Sequence, residues 1–386
     1  MADIAFEKEL AVTETGIEGL AVVDLAVHGD SRGWFKENWQ RAKMTALGIP
    51  DLRVVQNNIS YNEKRGVTRG IHAEPWNKFI SVARGSVFGA WVDLREGSAT
   101  YGKVYTTVLD PSKAIYVPRG VGNSFQALED GTVYTYLVDA HWSLELKKTY
   151  TFVNLADPEL AIEWPIPLSE AVISKADLGH PLLKDVIPMA PKRTLFIGGE
   201  TELGCAFRSL VSCKMSVKEY DFIDSSVFDI CDLKAYESID GPLYGAIIAC
   251  VPNDRIASAA RIESKKNNWT ADSMGPVLLA RFCAEHGIDL VCVSSLPAFG
   301  IDENCFSSVS DYASLQFELV GMMGETAIQS CPSHYIVRKG CCAPYEADAQ
   351  TTANVILDLL ENKPPYGIYS VSDYLLSAKA KTAKRI

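Results

Sequence analysis

All ten cysteines of this 386-residue chain fall between Cys205 and Cys342, whereas six of its seven tryptophans lie at or before Trp164. One hydrophobic core draws on one pool of side chains, so this segregation calls for two cores of different origin. The length suits two domains as well. Three prolines disfavour regular structure in PLLKDVIPMAP, Pro181–Pro191. That stretch predicts a linker at residues 181–192, between domains spanning 1–180 and 193–386.

A formal charge of -11 argues against nucleic acid or an anionic membrane as the main partner. A few arginines can still build a local pocket for an anionic small molecule. No stretch has the layout of a signal peptide, and no apolar run approaches the roughly 18 residues of a bilayer span. The cysteines form neither a CxxC pair nor zinc-ligand spacing, and the adjacent Cys341 and Cys342 read as free thiols. A cytoplasmic protein is expected.

In the first half, GLAVVDLAVHGDSRGWFKE reads as a short strand, a Gly-Asp turn and then Arg32, Trp34, Phe35 and Glu37. A helix follows through Ala46 and stops at Gly48. VVQNNISYN sets Gln56 and Asn58 two apart, on one face of a strand. FISVARGSVFGAWVDLREGSATYG alternates on either side of Arg84-Gly85, which predicts two strands and a tight turn. With further strands at AIYVPRG and TVYTYLVD, the half reads as an antiparallel sandwich or barrel, with a jelly roll the natural candidate.

The stretch GVTRGIHAEPWNK, Gly66 to Lys78, gathers Arg69, His72 and Lys78 at the entrance to these strands. Two cations and an imidazole suit an anionic substrate from which a base removes a proton beside a carbonyl.

Here the motifs form a resemblance. DSRGWF, QNNIS, GVTRGIHAE, VDLREGSATYG, VPRGVGNSF, the YLV after Thr135, and DPELAIEWP followed by SKAD resemble the dTDP-4-dehydrorhamnose 3,5-epimerases, from about Gly19 to Pro181. The resemblance implies a cupin-type jelly roll, a homodimer formed through it, and action on a dTDP-linked 4-keto-6-deoxy sugar without a cofactor. It implies His72 as base, Asp177 as the carboxylate that orients it, Tyr136 as acid on the opposite face and Lys78 as the cation near the C4 oxygen. Tyr134, on the same strand face, is a rival for Tyr136. Arg32, Glu37, Gln56, Asn58 and Arg69 would hold the nucleotide and its diphosphate. Asn123 stands where the family has a second histidine, and it would bond the substrate or fix a neighbour. A cupin can hold a metal, through His72 and Glu74 here, but with Asn123 in place of an imidazole none is expected.

The second half opens with KRTLFIGGETELGCAF, a strand, a Gly-rich turn and a helix, as a dinucleotide-binding unit begins. YDFID ends a second strand at Asp224, placed for a ribose-binding acid. GAIIACV and IDLVCVSS are apolar runs of the buried parallel-sheet kind, so an α/β doubly wound, Rossmann-like domain is expected. From Arg193 to about Arg338 the order of elements is similar to dTDP-4-dehydrorhamnose reductases, which implies NAD(P)H at Gly198, Gly204, Asp224, Ser295 and Tyr312. The chain departs from that pattern in three places. Thr201 replaces the middle glycine of the turn, Gln316 the lysine four residues after Tyr312, and Pro297 an aromatic. These changes predict that reduction is lost. A bifunctional epimerase–reductase and a non-catalytic sugar-nucleotide-binding or scaffold protein are the alternatives.

Overall fold

The computed structural model describes residues 4–213, 220–250, 262–294, 322–338, 347–372 and 374. The chain divides into two compact units, Met1–Pro191 and Lys192–Ile386.

The first unit is built from two antiparallel sheets. One runs, in spatial order, β1 (Ala11–Glu14), β2 (Ala21–Asp24), β10 (Lys113–Val117), β7 (Lys78–Arg84), β12 (Thr132–Val138) and β5 (Gln56–Asn62). The other runs β13 (Thr151–Phe152), β6 (Val67–Ala73), β11 (Val121–Ala127), β8 (Val87–Asp93) and β9 (Val104–Leu109). β14 (Val172–Ile173) adds a short parallel pairing to β6, and β3 (Val27–Asp30) with β4 (Gly33–Lys36) forms a separate hairpin. Counted from β5, the eight central strands are ordered 1-8-3-6 in one sheet and 2-7-4-5 in the other. That is the strand order of a jelly roll.

Alternation along the strands decides which residues meet between the sheets. Ile80, Val82, Ile115, Val117 and Tyr134 from one sheet pack on Val87, Trp91, Val121 and Phe125 from the other. The outer face of the second sheet, Ile71, Ala73, Val92 and Leu94, is covered by Val153, Leu155, Leu160, Val186 and Met189.

Residues 181–190 therefore belong to the first unit and are not the linker expected from their prolines. Met189 donates its amide to Leu94 O at 2.8 Å, and Glu96 donates to Met189 O at 2.9 Å. Burial of Val186 and Met189 holds the segment down, with a short 3-10 turn at Leu183–Asp185 and a bridge from Met189 to Arg95.

Part of the motif VDLREGSATYG is a turn lock. The buried Asp93 carboxylate accepts from Arg95 Nε at 2.8 Å, and from Arg95 Nη2, Ser98 Oγ and Thr100 Oγ1, each at 2.6 Å. Burial pushes its carboxyl up, but these donors outweigh it and hold the group down at about 2. A depressed carboxyl contributes stability that is present above its unfolded value of 3.8 and is lost as pH falls towards 2. Melts of wild type and Asp93→Asn should therefore differ at neutral pH and converge between about pH 4 and pH 2.

The second unit has one six-stranded, wholly parallel sheet. Its strands are β15 (Arg193–Ile197), β16 (Tyr220–Ile223), β17 (Tyr244–Ala249), β18 (Asp289–Ser294), β19 (His334–Arg338) and β20 (Gly367–Ser370). They lie in the order β16-β15-β17-β18-β19-β20. Alternate residues feed opposite faces. Leu195, Ile197, Ile247 and Leu290 pack on Leu279, Phe282 and Cys283 of helix Ile262–His286. Phe196, Ile248, Val291 and Val337 pack on helices Glu202–Ser212 and Ala349–Asn362. Both faces are covered, which explains the unbroken apolar runs of its strands. Among the described residues, no helix is long and apolar enough to cross a membrane.

Candidate active site between the sheets

His72 and Asn123 are direct cross-strand partners on β6 and β11, and Arg69 opposes Phe125. Two residues of β11 thus span three of β6, a bulge with one extra residue. In a regular strand Arg69 and His72, three apart, would face opposite ways; the bulge brings both to the face that looks across the sandwich. Gly70 makes it feasible. Its φ is +123°, and a Cβ there would lie 2.4 Å from Ser124 Cβ and 2.8 Å from Asn123 O.

Asp177 reaches His72 from helix Lys175–Leu178, whose first turn is capped by Ser174. His72 Nε2 and Asp177 Oδ1 are 2.9 Å apart, and the Asp177 side chain is 9% exposed against 30% for His72. Burial pushes the Asp177 carboxyl up, but the hydrogen bond and charge of His72 carry it below its ordinary value. The result is a charged, half-enclosed carboxylate joined to an imidazole that still meets solvent.

The facing sheet supplies Tyr134, Tyr136 and Lys78. Tyr134 is 1% exposed, stacks on Phe125 and donates its hydroxyl to Asn123 Oδ1 at 3.0 Å. That bond spans the two sheets and holds both side chains, so Asn123 fixes a neighbour. Tyr136 lies one step along the same face and keeps partial exposure. Burial, helped by the charge of Glu74 and opposed by Arg69, raises its phenol to about 12. It therefore keeps its proton at neutral pH, as a donor must. The Lys78 side chain is 4% exposed; its Nζ lies 2.5 Å from Glu74 Oε2 and 5.7 Å from the centre of the Tyr136 ring.

Gln56 and Asn58 do share a face of β5. Gln56 donates to Asn58 Oδ1 at 2.8 Å, and Asn58 is the register partner of Tyr136. Arg69 donates to Asn62 Oδ1 at 3.2 Å. Arg32 and Glu37 are bonded elsewhere, to Asp30 and Lys43, and both are well exposed. Arg32 sits at the tip of the β3–β4 hairpin, where Trp34 and Phe35 are also exposed.

Three participants escaped sequence reasoning. Glu74, weighed there only as a metal ligand, is the ion-pair partner of Lys78. Tyr150 lies near enough to Glu74 that the carboxylate adds to the upward push of burial on its phenol. His180 follows Asp177 by three residues, with its Nε2 3.9 Å from Asp177 Oδ1. The spacing of Glu74 from His72, and of His180 from Asp177, is the only signal the sequence carries for them. Donor atoms of His72, Asp177 and His180 lie within 4.8 Å of one another, the one such group among the described residues. The His72–Asp177 hydrogen bond already joins two of these donors to each other.

A family model described as dTDP-4-dehydrorhamnose 3,5-epimerase matches residues 14–185. The chain is 52% identical over 198 residues to "Protein RmlC homolog" of Streptococcus pyogenes serotype M6, covering 99% of that relative and 50% of this chain. The N-terminal half belongs to the dTDP-4-dehydrorhamnose 3,5-epimerase family. It is also 32% identical over 197 residues to the 3,5-epimerase of Mycobacterium tuberculosis, covering 96% of that protein and 48% of this chain. Among solved structures it is similar to RmlC from Streptococcus suis in complex with dTDP-D-xylose, at 54% identity and a TM-score of 0.45. That match covers 48% of this chain and 97% of the other. The His72–Asp177 pair lies inside the region shared with the epimerase family, which ends at residue 185.

In the second unit, Gly198 and Gly204 serve close packing of the turn. A Cβ on Gly198 would meet Cys250 O at 2.0 Å, and one on Gly204 would meet Gly198 O at 2.5 Å. Thr201 caps the helix that follows: its Oγ1 accepts from Gly204 N at 3.0 Å and donates to Gly198 O at 2.7 Å. Glu200 accepts from the Ser225 amide at 3.1 Å and from its hydroxyl, beside Asp224. A helix amide that would face a phosphate is thus met internally, and a carboxylate sits close by. Thr201 and Glu200 thus occupy the turn where a pyrophosphate would approach. Ser295, Pro297, Tyr312 and Gln316 lie outside the described residues.

Proposed function

We propose that the first unit inverts C3, C5 or both in a dTDP-linked 4-keto-6-deoxyhexose, on the route to dTDP-L-rhamnose. One observation carries this reading: His72 on one sheet, paired with Asp177 of helix Lys175–Leu178, looks across at Tyr136 and Lys78 on the other sheet. His72 takes the proton from the carbon beside the C4 ketone, and the electron pair moves onto the C4 oxygen as an enolate. Lys78 offers that oxygen positive charge, and Asp177 stabilises the imidazolium that forms. Tyr136 then returns a proton to the carbon from the opposite face, so configuration inverts with no net redox change and no cofactor. Arg69, Gln56 and Asn58 hold the diphosphate and nucleotide, joined by Arg32 and Glu37. Asn123 contributes by keeping Tyr134 in place.

The acting form is proposed to be a cytoplasmic homodimer formed through the jelly roll. Val55, Ile59 and Tyr61, on and beside the edge strand β5, are 46%, 68% and 61% exposed, which supports covering of that edge.

The second unit is proposed to be derived from a Rossmann-like reductase that no longer transfers hydride, because Thr201 and Glu200 occupy its turn. The substrate should be incubated in heavy water with and without NADPH, following deuterium at C3 and C5 and absorbance at the nicotinamide band. Deuterium should enter without NADPH consumption, and NADPH should show no saturable binding below about 1 mM, the weak end of ordinary cofactor affinities. Steady NADPH oxidation would make the protein bifunctional. Substrate binding with no deuterium at either carbon would leave a non-catalytic binding protein.

A further inference from the structure

We propose that His180 is a positioning residue for His72, holding the plane of its ring and shielding the Asp177 carboxylate so that its charge serves His72 alone. The catalytic consequence rests on the epimerase reading above; the geometric claim does not.

Three rings close on one another at this point. His180 stacks on Phe152, with centroids 4.7 Å apart and planes 27° apart. Phe152 meets His72 edge-on at 5.4 Å, and His180 meets His72 edge-on at 5.3 Å. Phe152 is the register partner of His72 across β13 and β6, so that side of the triangle is fixed by the sheet. The His180 side is fixed by Asn154, whose amide donates to Leu178 O at 3.1 Å and to His180 O at 3.0 Å. His72 is thus flanked by two aromatic rings, each nearly perpendicular to its own, in addition to its hydrogen bond to Asp177.

The polar atoms of His180 leave the Asp177 hydrogen bond to His72, since its ring is hydrogen-bonded to the Gly70 backbone instead. Its Nδ1 is buried and has no hydrogen-bond partner among the described residues. Its Nε2 is 3.9 Å from Asp177 Oδ1, beyond a hydrogen bond, whereas His72 makes that bond at 2.9 Å. The titratable groups that act on His180 are His72 and Asp177. Burial, and then the neighbouring His72, hold His180 below its ordinary range, so it stays uncharged when His72 takes a proton. A single carboxylate compensates one imidazolium, and this arrangement reserves it for His72. With its side chain 11% exposed, His180 also closes one approach of water to Asp177, which keeps the attraction between Asp177 and protonated His72 from being screened.

The test compares His180→Ala, which removes the ring, with His180→Phe, which keeps it without nitrogens, both in the full chain. Nitrogen NMR of the His72 imidazole reports its tautomer and its hydrogen bond to Asp177, and deuterium exchange with the keto-sugar gives kcat and KM. In His180→Ala water reaches Asp177, so the His72 Nε2–H signal should lose its hydrogen-bonded position and kcat should drop about tenfold with KM within about twofold, as for a base displaced by a fraction of an ångström. His180→Phe should restore both. If His180→Ala does not fold, His180→Ser, which also removes the ring, takes its place. An unchanged His72 signal in the Ala or Ser variant overturns the proposal, as does a Phe variant no better than Ala. If wild type exchanges no deuterium, the epimerase reading falls, and the NMR comparison alone decides the positioning role.

Discussion

His72→Ala is expected to lower deuterium incorporation at the epimerised carbon by about a thousandfold, the middle of the range for removing a general base. The substitution leaves Lys78, Arg69 and Tyr136 in place, so KM should change little. Loss of rate with retained binding is the signature of an interaction made in the transition state. Tyr136→Phe separates the two proton transfers. Its partner on the opposite face still removes a proton, so exchange from substrate should persist while inverted product falls sharply. The measurement is NMR of the sugar ring in heavy water, read against the wild-type rate. Exchange in His72→Ala within a factor of ten of wild type would assign the base elsewhere; Tyr150 and Glu74, close to each other in the site, would be the first residues to examine.

Gly70→Ala should be strongly damaging to the first unit, by backbone strain and steric clash together. The residue sits at φ +123°, and the added carbon would lie 2.4 Å from Ser124 Cβ and 2.8 Å from the Asn123 carbonyl oxygen. Neither neighbour is the far end of a flexible chain, so relief requires β6 and β11 to separate. A cost above about 3 kcal/mol is expected, from an unfavourable backbone conformation together with overpacking. Gly97→Ala is the control. Gly97 also has a positive φ, +74°, but nothing lies within 4 Å of its added carbon, so only the backbone part, about 1–2 kcal/mol, should appear. Urea unfolding of the two variants, followed through the tryptophans of the first unit, gives the difference directly. Because Gly70 also interacts with Asp177 through its backbone, the variant should lose exchange activity even where it is folded. Equal stabilities for the two variants would remove the steric argument for glycine at the bulge.

The chemistry of the site was legible in short stretches because each carries its own residue types. GVTRGIHAEPWNK announced an imidazole with two cations, and Gln56 and Asn58 were placed on one face by strand periodicity alone. Alternation likewise identified the strands of the sandwich, and unbroken apolar runs identified a sheet covered on both faces. The choice between Tyr134 and Tyr136 was not legible, since they share a strand face. It rests on Tyr134 being buried against Phe125 and bonded to Asn123. The boundary between the units, after Pro191, lies in the proline-rich stretch, but prolines report local backbone preference and say nothing of Val186 and Met189 finding a sheet to cover.

Sequence determined the kinds of groups available and their local direction, because propensity and periodicity act over a few residues. Tertiary structure decided which of them meet. His72 and Asp177 are 105 residues apart, and the bond between them exists only once helix Lys175–Leu178 has come down beside β6. Arg69 and His72 share a face only through a bulge that no strand period predicts. Glu74 became the partner of Lys78, and His180 a neighbour of His72, for the same reason. Distances between strands and loops are set by packing of the whole sandwich, and the energy that fixes them is spread over cores that no single stretch of sequence contains.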